Sequence, residues 1–119
     1  MYQGKCHCGN VTVTIPHLTK TATSCNCSIC YRYAAIWGYF TEREVKIECG
    51  ETGLKSYCHG EQTMIFHHCA KCGCVTHYSS TQSGPDARIA VNYRMFDRAV
   101  VPQMRLRHFD GADSWRYLD

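Results

Sequence analysis

A chain of 119 residues and 13.6 kDa has material for one hydrophobic core, so it is read as a single domain spanning 1–119. Leu, Ile, Val and Phe make up only 21 of those residues, under the roughly 20% share that warns of disorder, yet a net charge of +3 and 12% aromatics exclude a disordered chain. The shortfall in aliphatic packing is accompanied by 10 cysteines, which makes a crosslinked scaffold the expectation, held by disulfides or by metal.

From the start of the chain, Met1 to Asn10 lacks the apolar run of a secretory signal, and no later stretch approaches the roughly 18 apolar residues of a membrane span. The reading is therefore a cytoplasmic protein with no membrane partner, whose cysteines sit in a reducing compartment and serve as metal ligands. Alternation of apolar and polar residues predicts strands at Val11–Ile15, Val45–Cys49, Ile65–Cys69 and Ile89–Val91. Turn residues at Gly50–Gly53, His59–Glu61 and Ser83–Asp86 separate them. Tyr31–Phe40 is dense in aromatics and reads as a buried strand entered from a short turn, while Gln103–Trp115 reads as irregular or short-strand structure. No sustained helical stripe is present, and the architecture is mainly β. Six of the eight arginines fall between Arg88 and Arg116, but Asp97, Asp110 and Asp113 are interleaved. That is a solvated mixed-charge surface and not a nucleic-acid face.

Three cysteine clusters carry the chemistry: Cys6-His-Cys8-Gly9, Cys25-Asn-Cys27-Ser-Ile-Cys30 and Cys69-Ala-Lys-Cys72-Gly73-Cys74. A tetrahedral zinc needs ligand pairs from tight turns that aim two thiolates at one point, and a glycine after the second thiol permits the positive-φ bend that does so. Pairing Cys6 and Cys8 with Cys69 and Cys72 gives a closed, four-thiolate structural site. Cys25, Cys27 and Cys30 remain as a group of three, either open for chemistry or closed by a fourth ligand from Cys49, Cys58, His59, His68 or Cys74.

The order Gly4-Lys-Cys6-His-Cys8-Gly9, Cys25-x-Cys27-x-x-Cys30 and His68-Cys69-x-x-Cys72-Gly73, with the tail Arg107-His-Phe-Asp110-Gly-Ala-Asp113-Ser-Trp115, resembles the glutathione-dependent formaldehyde-activating enzyme family, the GFA domain. The resemblance implies a β-tent fold, small antiparallel sheets joined around a structural zinc at Cys6, Cys8, Cys69 and Cys72. It also implies a second, more labile zinc at Cys25, Cys27 and Cys30, where glutathione engages as a small-molecule thiol substrate. The implied activity is that of a carbon–sulfur lyase forming or cleaving a glutathione–formaldehyde type adduct, in a monomer or homodimer. The chain departs from the family pattern at Tyr31-Arg32, where two basic residues are common, and at Cys74, where a small hydroxyl residue is common. Three thiolates on Zn²⁺ carry a net charge of −1 and a fourth makes −2, so a cation is wanted nearby, and Arg32 is its sequence candidate. Two other readings stand beside the enzyme: a zinc-stabilised binding module, and a methionine sulfoxide reductase of related fold using Cys49, Cys58 or Cys74.

The remaining residues have plainer readings. His7 is a surface spacer; Cys49 and Cys58 are small buried hydrophobes in strands; Trp37, Tyr39 and Phe40 form core or pocket wall. Of His67 and His68, on opposite faces of a strand, at most one faces the metal.

Overall fold

The computed structural model describes residues 1–58, 63–82 and 84–119. The predicted turn at His59–Glu61, with His59 as a possible ligand, and the first residue of the turn at Ser83 lie outside the described residues. The described residues form ten strands: β1 (Tyr2–Lys5), β2 (Val11–Ile15), β3 (Thr21–Cys25), β4 (Trp37–Thr41), β5 (Lys46–Cys49), β6 (Leu54–Cys58), β7 (Met64–Cys69), β8 (Val75–Ser80), β9 (Arg88–Asn92) and β10 (Arg105–Phe109). They form a three-stranded sheet in the order β1-β2-β5 and a seven-stranded sheet in the order β10-β3-β4-β9-β8-β7-β6. Pairing is antiparallel except between β3 and β10, which run parallel from Arg105 opposite Thr21 to Phe109 opposite Cys25. Among the described residues no helix is long and apolar enough to cross a membrane.

Few aliphatic residues suffice because they are concentrated. Val13 and Ile15 of β2, with Ile89 and Val91 of β9, pack with Tyr93, Phe96 and Met104 in one core. Trp37, Phe66, Tyr78, Ala90 and Cys30 form a second. The third is unusual in composition, for its buried members are Cys6, Val11 and Cys69. There a thiol cluster occupies the place that aliphatic side chains fill elsewhere.

Two segments differ from the sequence expectation. Tyr31–Phe40 is not one strand: a six-residue helix, α1 (Ser28–Tyr33), precedes β4. Cys27 begins it as N-cap, its sulfur accepting from the Cys30 N–H, and Ala34 ends it in the left-handed region at φ 53°. Hydrophobic periodicity cannot detect a helix of under two turns. Cys49 and Cys58 are exposed and not buried. Each ends the outermost strand of its sheet, β5 in one and β6 in the other, and most residues of both strands are exposed.

Candidate metal centres and cleft

The β1–β2 and β7–β8 turns are built alike. Gly9 and Gly73, each directly after a cysteine, take φ of 82° and 79°, the conformation that the Cys-Gly pattern predicts. Each glycine N–H returns to the carbonyl of the first cysteine in its turn, Gly9 to Cys6 and Gly73 to Cys69, both at 3.0 Å. The result places Sγ of Cys6, Cys8, Cys69 and Cys72 within 4.8 Å of one another. Four sulfurs about 2.3 Å from a tetrahedral zinc would stand about 3.8 Å apart. Cys6 and Cys8 are 3.7 Å apart and Cys8 and Cys69 3.5 Å, so the donor set fits zinc.

Backbone N–H groups are aimed at these sulfurs, from Val11 to Cys6 at 3.2 Å and from Cys72 and Lys71 to Cys69 at 3.4 Å each. Donation from Cys72 and Lys71 favours the charged form and holds the Cys69 thiol below its usual range. Asn10 ties the turns together, its Nδ2 donating to Cys69 Sγ and to the Gly53 carbonyl. Cys74 lies next to this group: burial, then contact with Cys72, pushes its thiol up. It is not near the middle cluster.

The second group joins Cys25, at the end of β3, to Cys27 and Cys30 of α1, again within 4.8 Å. No fourth His, Cys, Asp or Glu among the described residues shares that spacing. Cys49, Cys58, His68 and Cys74 therefore do not close it. The hydrogen bond with Cys30 holds Cys25 down to about 5, while the same contact pushes Cys30 up. Metal binding at this group would require all three thiols to lose their protons.

The tail forms a lid over this cluster. Asn26 donates to Asp110 Oδ1 and accepts from the Ala112 N–H, both at 3.0 Å, while Asp110 Oδ2 accepts from the Ser114 N–H and hydroxyl. These bonds bring Gly111 so near that a Cβ there would stand 2.7 Å from Cys25 Sγ and 3.0 Å from Cys27 Cβ. Gly111→Ala is accordingly expected to weaken metal at the three-thiol group and to leave the four-thiol group intact. Chelator competition followed by metal counting checks this, and loss of both metals at once would contradict it. Trp115 is held at φ 60°, a strained conformation for a bulky residue that costs on the order of 1–3 kcal/mol, and its ring packs edge-on against Phe109 at 5.1 Å.

Between lid and sheet lies a cleft of 380 Å³, with the three cysteines at its base and Trp37, Tyr39, Tyr78, Phe109, Trp115 and Tyr117 on its walls. Arg88 is the cation on its lining, stacked over the Tyr39 ring at 4.6 Å. The buried Trp37 indole N–H faces the Cys30 sulfur, an interaction that favours the thiolate there, and has no closer partner among the described residues. Burial raises the Tyr39 and Tyr78 hydroxyls above their usual range, keeping both as neutral donors. Trp37 and Tyr39 are the pocket wall that the aromatic density of the sequence predicts. Arg32 is turned elsewhere: its Nη1 donates to the Ser28 carbonyl at 2.9 Å, and it lines a separate groove with Tyr33 and Tyr57. Arg88 and Tyr78 have no signal in the spacing of the sequence, and Gly111 was visible only within the tail motif. Trp115 was visible only as part of the tail motif.

His67 and His68 join neither cysteine group. A bulge in the β7–β8 pairing falls between them. His67 bonds Ser56 and Ser79 and stacks on His77 at 4.5 Å.

Fold and sites together define a mainly β protein with one four-cysteine and one three-cysteine group, both with spacing compatible with zinc. A family model described as glutathione-dependent formaldehyde-activating enzyme matches residues 1–109, and the chain belongs to that family. Among solved structures, the crystal structure of a Rhodobacter sphaeroides protein is similar at 24% identity and a TM-score of 0.68, covering 87% of this chain and 98% of that one. At that identity the likeness bears on the fold. No curated protein matches the chain.

Proposed function

We propose that the protein is a zinc-dependent carbon–sulfur lyase that makes or cleaves a glutathione–carbonyl adduct at Cys25, Cys27 and Cys30, with a second, structural zinc at Cys6, Cys8, Cys69 and Cys72. The observation that carries this reading is the three-thiol group with no fourth ligand among the described residues, at the base of a cleft. Zinc held there supplies positive charge that lowers the proton affinity of an entering thiol. The cleft residues bind and orient the partners and keep water from the reacting atoms. In the forward direction the thiolate sulfur bonds to the carbonyl carbon, the C=O π bond breaks, and the oxygen takes up a proton, giving a hydroxyalkyl thioether. Tyr39 and Tyr78 are the neutral donors on the cleft wall that would steady this oxygen. Cytoplasmic glutathione is the expected thiol.

Calorimetry of the zinc-loaded protein with glutathione and with S-methylglutathione tests the reading. The analogue keeps the peptide charges but has no thiol proton to lose. Glutathione is expected to bind at least tenfold more tightly, with an affinity that rises with pH below the free thiol's pKa because binding releases a proton. Equal binding of the two would favour a non-catalytic binding module.

A further inference from the structure

We propose that the cleft beside the three thiols takes the carbonyl-derived half of the adduct, and that this half is an aromatic group carrying a single carboxylate. The inference rests on the glutathione-adduct reading and names the second substrate for the same site. A one-carbon substituent would leave most of a 380 Å³ cleft empty. Its walls are aromatic rings at mixed angles: Trp37 and Tyr78 edge to face at 4.9 Å, and Phe109 with Trp115 at 5.1 Å and with Tyr117 at 5.0 Å. Such walls hold a flat apolar body by stacking and edge contacts.

Charge separates this group from the peptide. Glutathione brings two carboxylates and an ammonium, whereas the cleft offers one guanidinium, Arg88, which pairs with no carboxylate among the described residues. Stacked on Tyr39, it keeps its donor edge for one anion. The peptide has room elsewhere, since Cys25 also lines two neighbouring hollows of 440 and 220 Å³, the second with Arg94. Trp115, two-thirds exposed and strained in backbone, is part of the cleft lining.

The test measures binding of three stable thioethers, S-methyl-, S-benzyl- and S-(4-carboxybenzyl)glutathione, and of 4-(mercaptomethyl)benzoate, by tryptophan fluorescence on the zinc-loaded protein. The benzyl compound is expected to bind at least tenfold more tightly than the methyl one, and the carboxybenzyl compound about fivefold more tightly again. Arg88→Met should abolish the last gain and leave the benzyl gain. Trp115→Ala should reduce the benzyl gain and leave S-methylglutathione unchanged. Methyl and benzyl compounds binding equally, or Arg88→Met weakening all three alike, would overturn the proposal. If 4-(mercaptomethyl)benzoate binds where no glutathione derivative does, the aromatic cleft stands and the glutathione reading falls. If glutathione beats its S-methyl analogue but no aromatic probe gains over methyl, the reverse holds.

Discussion

Cys69→Ser is expected to leave the chain unfolded at 25 °C, whereas Cys27→Ser is expected to leave it folded with one metal fewer. Cys69 is fully buried, shares a core with Cys6 and Val11, and joins the β7–β8 turn to the start of the chain through Cys8. A structural zinc contributes roughly 10–16 kcal/mol, as much as the whole net stability of a typical domain at about 5–15 kcal/mol. Serine would not replace a thiolate ligand, and with 21 Leu, Ile, Val and Phe residues in the chain little packing offsets the loss. Cys27 differs in local role. It caps α1 by accepting from the Cys30 N–H at 3.4 Å, and serine is among the best residues at that position, so the helix start survives the substitution that removes a ligand. Circular dichroism, thermal melts and metal counting on both variants decide it. Equal destabilisation would mean that both clusters hold the fold together.

Acid should destabilise the protein through His77, apart from any effect on the thiolates. Burial lowers its imidazole from 6.5 to about 3, and the stacked His67, lowered in the same way, would repel a charge there. Thr76 Oγ1 lies 2.8 Å from Nδ1 and can pair with either form of the ring, so burial and the neighbouring His67 are what favour the neutral one. Above pH 6.5 the ring is neutral in both folded and unfolded chain and costs nothing. As pH falls below 6.5 the unfolded chain takes a proton that the folded chain refuses, and stability drops by up to about 1.4 kcal/mol per pH unit until about pH 3. Over that range the loss reaches about 4–5 kcal/mol at most. His77→Gln should be less stable than the parent at pH 7 by about 1–2 kcal/mol, yet lose less between pH 6.5 and 4. Denaturant titrations across that range measure both slopes, and parallel slopes would remove His77 from the account. Metal release in acid is common to the two proteins and cancels in the comparison.

Much of the metal chemistry is visible in the sequence because its determinants are local. A Cys-x-Cys-Gly or Cys-x-x-Cys-Gly stretch fixes its own turn, and Gly9 and Gly73 adopt the positive φ that such turns require whatever surrounds them. The strands at Val11, Ile65 and Ile89 likewise follow from alternation with period two. What only the tertiary structure decides involves residues far apart in the chain. The parallel pairing of β10 with β3 carries the tail from Asp110 onward over Cys25, and from there Gly111 contacts two cysteines more than 80 positions earlier. Arg88 reaches the cleft because β9 pairs with β4, bringing its guanidinium over Tyr39, while Arg32, close to Cys30 in sequence, turns back along its own helix. Cys49 and Cys58 have strand-like neighbours, but their exposure depends on which strands lie at sheet edges, and strand order is set by long-range pairing that local alternation does not encode.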